Sequence, residues 1–297
     1  MDPTEQLRRD IVEIGRRLWT RGFVASNDGN ISVRLGPDRL LMTPSGVSKV
    51  DMTPEMMVVT DLEGTVVSSA PGRKPSSEIL MHLVAYAERP DVGAVVHAHP
   101  PISTGFAVAG IPLDRAVLAE VVTTLGSIPI ADYGTPSTRE LAEAVRPHLR
   151  AHDGLLLANH GAVALGKDLF GAYYKMETIE HFARISLVAR LLGREHLLSR
   201  EEVDRLQQLR GSYGIETPAP ICPDPPPAAT GDQSVCQIVY APSSGGERLV
   251  PETPAVGGGA PAAGSFATEG GIRLTYGQLT ALIDEAVRQF VGPQRDD

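Results

Sequence analysis

Two histidines separated by one residue stand at the end of an apolar segment, in Val95-Val96-His97-Ala98-His99-Pro100. The residues before them are apolar and β-branched, so we predict that segment 91–96 is a strand leading into the histidines. Because side chains two residues apart on a strand point to the same face, both imidazoles can reach one ion. The pair predicts half of a metal site, although such histidines are often only hydrogen-bonded core residues.

Two further candidate ligands lie elsewhere in the chain. His160 follows a second apolar strand, predicted over 154–158, and precedes Gly161, where a sharp turn beside a ligand is expected. Glu78 is expected in the first turn of a helix that begins near Pro75. Three neutral histidines with one carboxylate suit Zn²⁺, and a carboxylate that swings away leaves an open position for substrate. The predicted metal ligands are Glu78, His97, His99 and His160.

The remaining histidines are predicted not to bind the metal: His82, His148, His152, His181 and His196. His82 lies one helical turn after Glu78, on the same face of the predicted helix. A packed histidine is the favoured interpretation of this residue, and a hydrogen-bonding role beside the metal is the alternative.

Three turns rich in Gly and Ser offer a second kind of chemistry: Asp28-Gly29-Asn30, Thr43-Pro44-Ser45-Gly46 and Pro75-Ser76-Ser77. Each turn alone is typical of a plain loop. The third one opens the predicted helix that carries Glu78, and a helix amino terminus with free N–H groups favours anions. If the fold brings the turns together, they predict a phosphate site close to the metal.

Composition restricts the class of protein. The chain has 297 residues, 42% of them hydrophobic and 21% charged, as in an ordinary globular protein with one good-sized core. A net charge of −9 disfavours nucleic acid and anionic membranes as partners. We find neither an apolar segment of membrane-spanning length nor an amino-terminal signal, so a cytoplasmic location is expected. Cys222 and Cys236 do not predict a disulfide framework or a metal site.

Pattern and composition divide the chain into three regions. Residues 1–215 alternate helical and strand patterns and predict one α/β domain. Residues 216–272 are rich in Pro and Gly and predict a flexible linker. Residues 273–292 predict an amphipathic helix whose apolar stripe must be buried. That helix either packs on its own domain or a sister subunit, or docks the chain to a larger assembly.

Five motifs in order resemble those of class II aldolases of the aldolase/adducin family. They are Ser26-Asn27-Asp28-Gly29-Asn30-Ile31-Ser32, Leu41-Met42-Thr43-Pro44-Ser45-Gly46, Lys74-Pro75-Ser76-Ser77-Glu78, Val96-His97-Ala98-His99 and Asn159-His160-Gly161. The resemblance extends over about residues 7–214. It implies a single α/β domain with a central, mainly antiparallel sheet flanked by helices. It also implies a cyclic homotetramer with active sites at subunit interfaces.

The resemblance assigns roles to individual positions. His97, His99 and His160 hold Zn²⁺, and Glu78 serves as the fourth ligand and as general acid/base once substrate displaces it. The phosphate of the substrate is bound by Gly29, Asn30, Ser45, Gly46, Ser76 and Ser77. The implied reaction is retro-aldol cleavage of a ketose 1-phosphate, such as L-fuculose 1-phosphate, to dihydroxyacetone phosphate and an aldehyde such as L-lactaldehyde.

The aldehyde side departs from the family pattern. Aldolases of this type have a catalytic tyrosine from a neighbouring subunit near the segment that here is 114–120, and this segment contains no Tyr. An aromatic residue expected near Pro136 is also replaced. Tyr213 matches the carboxy-terminal family tyrosine and is predicted as a catalytic residue, and Arg115 and Glu120 are candidates to line the same side.

The carboxy-terminal helix is similar to encapsulation peptides that load enzymes into bacterial microcompartments. It predicts shell proteins as partners and the microcompartment lumen as a location. Other enzymes of the same scaffold, namely a sugar-phosphate 4-epimerase, dehydratase or decarboxylase, are the alternatives to an aldolase. Epimerases typically carry Asp where Glu78 stands, which favours the aldolase. A non-catalytic adducin-like module is disfavoured, because it needs no metal ligands.

Overall fold

The computed structural model describes residues 3–215, 217–218 and 220–221. The helices in this part of the chain are α1 (Pro3–Thr20), α2 (Ile79–Glu88), α3 (Pro101–Ala109), α4 (Ala119–Thr124), α5 (Arg139–Leu149), α6 (Leu169–Leu191) and α7 (Arg200–Ser212), with a short 3-10 helix at Pro54–Met56. The strands are β1 (Asn30–Arg34), β2 (Arg39–Met42), β3 (Val58–Asp61), β4 (Val66–Ser68), β5 (Ala94–Ala98), β6 (Ile130–Ala131), β7 (Gly154–Leu157) and β8 (Gly161–Gly166).

The strands form one sheet in the order β4-β3-β2-β1-β5-β8-β7-β6. Every neighbouring pair is antiparallel except β6 and β7, which are parallel. The centre of the sheet brings together strands that are distant in sequence, because β5 pairs with β1 on one side and with β8 on the other. The mixed α/β fold with a mainly antiparallel sheet is therefore confirmed.

Helices cover both faces of the sheet. Alternate residues of β5 separate into two hydrophobic clusters: Val96 packs with α1, α3 and α6, whereas Val95 packs with α2 and α5. This division follows from the period of two along a strand. His97 is two residues from Val95 and therefore belongs to the face covered by α2, the helix that Glu78 precedes.

Some element boundaries differ from the prediction. Helix α2 begins at Ile79 and not near Pro75, because Pro75 pairs with Pro44 in an isolated bridge and residues 77–78 form a turn before the helix. Glu78 is consequently the N-cap residue of α2. The strand predicted over 91–96 runs from Ala94 to Ala98, so His97 lies within it and His99 follows it directly.

The end of the described chain packs on the domain. Thr217 Oγ1 lies 2.9 Å from Asp153 Oδ1, and Arg210 donates a hydrogen bond to the Thr217 carbonyl. Ile221 is buried in a small cluster with residues of α4 and α7. Most of the predicted linker and the whole of the predicted helix 273–292 lie outside the described residues. Among the described residues, no helix is long and apolar enough to cross a membrane.

Candidate metal centre

Three histidine side chains converge at one end of β5 and β8. Nε2 of His99 lies 3.1 Å from Nε2 of His97, and the ring centroids of His97 and His160 are 4.8 Å apart. Candidate ligand nitrogens from all three residues lie within 4.8 Å of one another. The structure therefore brings together the three histidines that the sequence predicted, and they form a group that could hold a metal ion.

Glu78 closes this group from the opposite layer. Its Oε2 lies 3.3 Å from Nε2 of His97, and its Oε1 lies 3.2 Å from Nε2 of His160. Burial alone would raise the pKa of Glu78, but the neighbouring His97 and His160 imidazoles hold that pKa well below its usual value. The carboxylate is therefore ionised, as a metal ligand must be.

The histidine rings are oriented through their second nitrogens. Nδ1 of His97 donates a hydrogen bond of 2.8 Å to the Ala162 carbonyl, which leaves the Nε2 lone pair for a metal. Nδ1 of His99 lies 3.3 Å from Oδ2 of Asp28, a carboxylate that the sequence interpretation did not assign. Burial, followed by the nearby His97 and His160, lowers the pKa of His99 to about 4, so this imidazole is neutral and able to coordinate.

The loop between β7 and β8 delivers His160. The sharp turn predicted at Gly161 lies instead at Asn159, which adopts a left-handed conformation with φ 55°. Asn tolerates this region better than most residues because its short side chain bonds locally. Gly161 has a different role: a Cβ there would lie 2.5 Å from His99 Cδ2 and 2.6 Å from the Ala98 carbonyl oxygen. The missing side chain allows the hairpin to lie against the histidines.

The three predicted turns are adjacent in the structure. The Ser76 N–H donates to the Thr43 carbonyl, and the Ser45 N–H donates to the Lys74 carbonyl, so the second and third turns pair directly. The Ile31 N–H donates to Thr43 Oγ1 at 3.1 Å, which joins the first turn to the second.

The first turn also lies against the candidate metal ligands. Gly29 has φ 72°, and a Cβ there would lie 2.8 Å from the His97 carbonyl oxygen. The fold thus brings the three turns together beside the histidines, which was the condition for predicting a phosphate site there. Ser45, Gly46 and Ser77 are exposed, Gly29 is half-buried, and Asn30 and Ser76 are buried. Phosphate binding by these residues stays a prediction.

A buried lysine beside these turns escaped the sequence interpretation. Lys49 is 1% exposed, and its Nζ donates to the carbonyls of Val47 at 3.0 Å and Asn27 at 3.3 Å. Burial lowers the pKa of Lys49 to about 8, against a smaller opposing effect of Asp28. One lysine in a turn is usually solvated, so nothing in the sequence distinguished this one. Its ammonium joins Asn27, the residue before the first turn, to Val47, the residue after the second.

The predicted catalytic Tyr213 lies apart from the histidines within one chain. Tyr213 follows α7, is 66% exposed and lines a cavity with Arg89 and Lys167. That cavity includes Gly166 at the far end of β8, about 16 Å from Gly161 at a strand rise of about 3.3 Å per residue. Glu120 is exposed on α4, and Arg115 pairs with Glu195 at 2.9 Å.

The donor set satisfies the requirements of a divalent metal. Glu78 Oε1 and His160 Nδ1 are buried polar atoms that have no hydrogen-bond partner within the described residues. Buried polar atoms rarely stay unpaired, and a cation next to Glu78 would compensate its orphaned oxygen. Neutral imidazoles with one carboxylate suit Zn²⁺ and related ions. The residues therefore fit a catalytic metal.

Comparison with known proteins finds the same fold and family. Residues 9–187 match the class II aldolase and adducin N-terminal domain. A 5-methylthioribulose-1-phosphate/5-deoxyribulose-1-phosphate aldolase of Rhodospirillum rubrum is 34% identical over 217 residues, which cover 73% of this chain and 96% of that protein.

Two further relatives differ in the reactions that they are named for. A solved structure of L-fuculose 1-phosphate aldolase superposes with a TM-score of 0.64 at 30% identity, over 68% of this chain and 95% of its own. A 3-oxo-tetronate 4-phosphate decarboxylase of Haemophilus influenzae is 32% identical over 179 residues, covering 59% of this chain and 84% of that protein.

Proposed function

Because the chain belongs to the class II aldolase and adducin family, we propose that it cleaves a ketose 1-phosphate by a metal-dependent retro-aldol reaction. The products would be dihydroxyacetone phosphate and an aldehyde, with L-fuculose 1-phosphate or a similar sugar phosphate as substrate. The observation that carries the proposal is the convergence of His97, His99, His160 and Glu78 beside three adjoining turns.

The proposed metal is Zn²⁺, held by the three histidines with Glu78 as the resting fourth ligand. When bound, it would supply Lewis-acid polarisation of the substrate carbonyl. The histidines contribute rigidity, because His97 and His99 are fixed by β5 and His160 by the adjoining hairpin. Glu78 belongs to a different layer and is the ligand best placed to move.

Glu78 is the proposed proton-transfer group. Cleavage of the carbon–carbon bond leaves its electron pair on the carbon that becomes the hydroxymethyl group of dihydroxyacetone phosphate, and that carbon takes a proton. Glu78 is ionised as the resting ligand, so it would first leave the metal and take a proton from solvent. The protonated carboxyl group next to the carbon is then a suitable donor. The Asn30 amide holds Oε2 of Glu78 at 2.7 Å, whereas Oε1 receives no hydrogen bond from the described residues. Oε1, which lies 3.2 Å from His160 Nε2 without receiving a hydrogen bond from it, is therefore the oxygen proposed to carry the proton.

The adjoining turns are the proposed phosphate site. Their backbone and hydroxyl groups come from Gly29, Asn30, Ser45, Gly46, Ser76 and Ser77. The site lies next to the amino terminus of α2, whose positive dipole end favours an anion. The buried Lys49 ammonium behind two of the turns adds a positive charge. This combination supports a phosphorylated substrate despite the net charge of −9.

The aldehyde side is proposed to include a second copy of the chain. Tyr213 lies too far from the histidines of its own chain to act there, so its proposed catalytic role requires a neighbouring subunit. A homotetramer with sites at the interfaces would provide this arrangement. In the cleavage direction, a tyrosine there would take the proton of the hydroxyl group that becomes the aldehyde.

Metal analysis combined with a substrate panel tests the proposal. Purified protein should contain about one divalent ion per chain and release dihydroxyacetone phosphate from L-fuculose 1-phosphate or 5-deoxyribulose 1-phosphate. His97→Ala should lose the metal and turnover, whereas His196→Ala, at an exposed site outside the histidine group, should retain both. Absence of metal, or turnover that survives in His97→Ala, would reject the mechanism.

A decarboxylase is the second candidate, since a relative with that name is 32% identical. The same panel therefore includes a 3-oxo-tetronate 4-phosphate. Release of carbon dioxide from this compound, without cleavage of any ketose 1-phosphate, would favour the decarboxylase. Both reactions leave an electron pair next to a carbonyl, so the histidines and Glu78 would serve either one.

We further propose, from the sequence alone, that residues 273–292 are an encapsulation peptide. Apolar residues recur there at helical spacing after a long Pro- and Gly-rich segment. Deleting the residues after 221 should abolish co-purification with microcompartment shell proteins and spare turnover. Unchanged co-purification would contradict this proposal.

A further inference from the structure

A buried chain of hydrogen bonds ends at Glu78. The Tyr86 hydroxyl lies 2.8 Å from Ser32 Oγ, which lies 2.7 Å from Nδ1 of His82. Nε2 of His82 contacts Oδ1 of Asn30, and Nδ2 of Asn30 donates to Oε2 of Glu78 at 2.7 Å. Relative exposures are 0% for Ser32 and His82, 2% for Asn30 and 3% for Tyr86. Bulk water therefore does not compete with these bonds.

The chain of hydrogen bonds has only one consistent direction. Ionised Glu78 accepts hydrogen bonds and cannot donate, so Asn30 must turn its NH₂ group toward it. The Oδ1 atom of Asn30 then faces His82 and requires a hydrogen on Nε2. A neutral imidazole with its hydrogen on Nε2 accepts at Nδ1, and it accepts there from the Ser32 hydroxyl. The Ser32 oxygen in turn accepts from Tyr86.

The ionisation of the buried groups agrees with this direction. Burial, with a smaller effect of His97, lowers the pKa of His82 to about 3, which keeps the imidazole neutral with a single N–H. Burial raises the pKa of Tyr86, so its phenol keeps the hydrogen that it donates.

We infer that His82 is a positioning residue that, through Asn30, assigns different tasks to the two oxygens of Glu78. Its Nε2–H fixes the Asn30 amide so that Oε2 stays a hydrogen-bond acceptor and Oε1 is left to exchange a proton. A flipped Asn30 amide would place its own oxygen about 3 Å from Oε2, and two acceptors at that distance repel. The inference rests on the proposed function, in which Glu78 transfers a proton.

Four proteins test this inference: the native chain, His82→Leu, His82→Gln and His152→Leu. Leucine at position 82 removes the donor to Asn30, whereas the Gln amide can still donate from the position of Nε2. His152 is a matched control, because it is 1% exposed, bonds to the His148 carbonyl and has its pKa lowered by burial to about 4. It lies two residues before β7, at the opposite end of that strand from His160.

Two measurements are made on all four proteins, and a third is made on the native chain and His152→Leu, which retain His82. Deuterium exchange into the hydroxymethyl carbon of dihydroxyacetone phosphate reports proton transfer by Glu78 without any aldehyde. Competition for Zn²⁺ with a chromophoric chelator reports metal affinity. Two-dimensional ¹⁵N NMR of the imidazoles reports which nitrogen of His82 carries the hydrogen.

The expected result is exchange about tenfold to hundredfold slower in His82→Leu, with a smaller loss of metal affinity. His82→Gln should recover most of the exchange rate, and His152→Leu should match the native protein. NMR should place the hydrogen of His82 on Nε2. Equal exchange rates in His82→Leu and His152→Leu, or a hydrogen on Nδ1, would overturn the inference.

Failure of the proposed function gives a different result. If the native protein exchanges no deuterium while binding metal, the proton-transfer role of Glu78 is wrong whatever His82 does. The link between His82 and Glu78 is then judged by metal affinity and NMR alone. It fails if His82→Leu binds Zn²⁺ as tightly as the native chain.

Discussion

Gly161→Ala should damage the metal centre while leaving the rest of the fold intact. The added methyl group would lie 2.5 Å from His99 Cδ2 and 2.6 Å from the Ala98 carbonyl oxygen. Comfortable contacts between carbon atoms begin at about 3.5 Å, so a displacement of about 1 Å is required. Gly161 does not have a left-handed φ, so crowding is the sole effect of the substitution.

The His99 ring and the hairpin share this displacement. The Ala98 carbonyl belongs to β5, which is paired on both sides, so the backbone cannot move alone. Metal sites tolerate about 0.5 Å of misplacement, and a shift of about 1 Å can reduce turnover about a hundredfold. We expect metal affinity to fall about 10- to 100-fold. Overpacking should lower the free energy of unfolding by about 1–3 kcal/mol.

Chelator competition, turnover and thermal unfolding of the same preparations measure these effects. Gly105→Ala is the matched control, because it makes the same change in α3 where an added Cβ meets nothing within 4 Å. This control should bind metal normally and unfold at an equal or slightly higher temperature. Wild-type metal affinity and turnover in Gly161→Ala would refute the reasoning that the missing side chain lets the hairpin approach the histidines.

Three other perturbations address different parts of the site. Asp28→Ala should weaken metal binding about tenfold in the chelator assay, because it removes the acceptor for His99 Nδ1. Asp28→Asn should restore part of this loss. Equal metal affinity in the native chain and both variants would contradict the role of Asp28. The free energy of unfolding of the native chain, relative to that of Lys49→Met, should rise by at most about 3 kcal/mol between pH 8 and 10.5. In this range Lys49 of the unfolded chain retains a proton that folded Lys49 has released. A difference independent of pH would be inconsistent with the lowered pKa of Lys49. Tyr213→Phe and Glu78→Gln should each be nearly inactive alone and regain turnover when mixed as subunits, if Tyr213 acts in a neighbouring site. Full turnover in Tyr213→Phe alone would place Tyr213 outside the reaction, and no recovery in mixed oligomers would contradict its action in a neighbouring site.

The convergence of the candidate ligands could be predicted because it depends on local geometry. His97 and His99 are two residues apart on an apolar strand, and that spacing alone puts both side chains on one face. The sequence also predicted Glu78 at the amino-terminal end of a helix. The helix begins about one turn later than predicted, because Pro75 forms a bridge with Pro44. Local patterns thus gave the residues and left small errors at element boundaries.

The supporting contacts could not be predicted because they depend on strand register. His82 reaches Asn30 and Ser32 only because β1 lies next to β5 beneath α2, and no local pattern fixes that arrangement. Lys49 is an ordinary turn residue until the distant Asn27 carbonyl, together with the nearby Val47 carbonyl, accepts hydrogen bonds from it. The displacement of Tyr213 from the histidines likewise follows from the path of the chain after α7.

The histidines and Glu78 reach the site from different layers, and this arrangement separates what evolution can change from what it must keep. The imidazoles share a single rigid support, so altering one of them endangers all metal chemistry. The acid is attached through a short junction before α2, where a shorter or longer side chain would move the proton-transfer atom without disturbing the sheet. Substitution of Glu78 alone could therefore change the reaction while the histidines that hold the metal stay in place. Position 78 is the natural starting point for redesign.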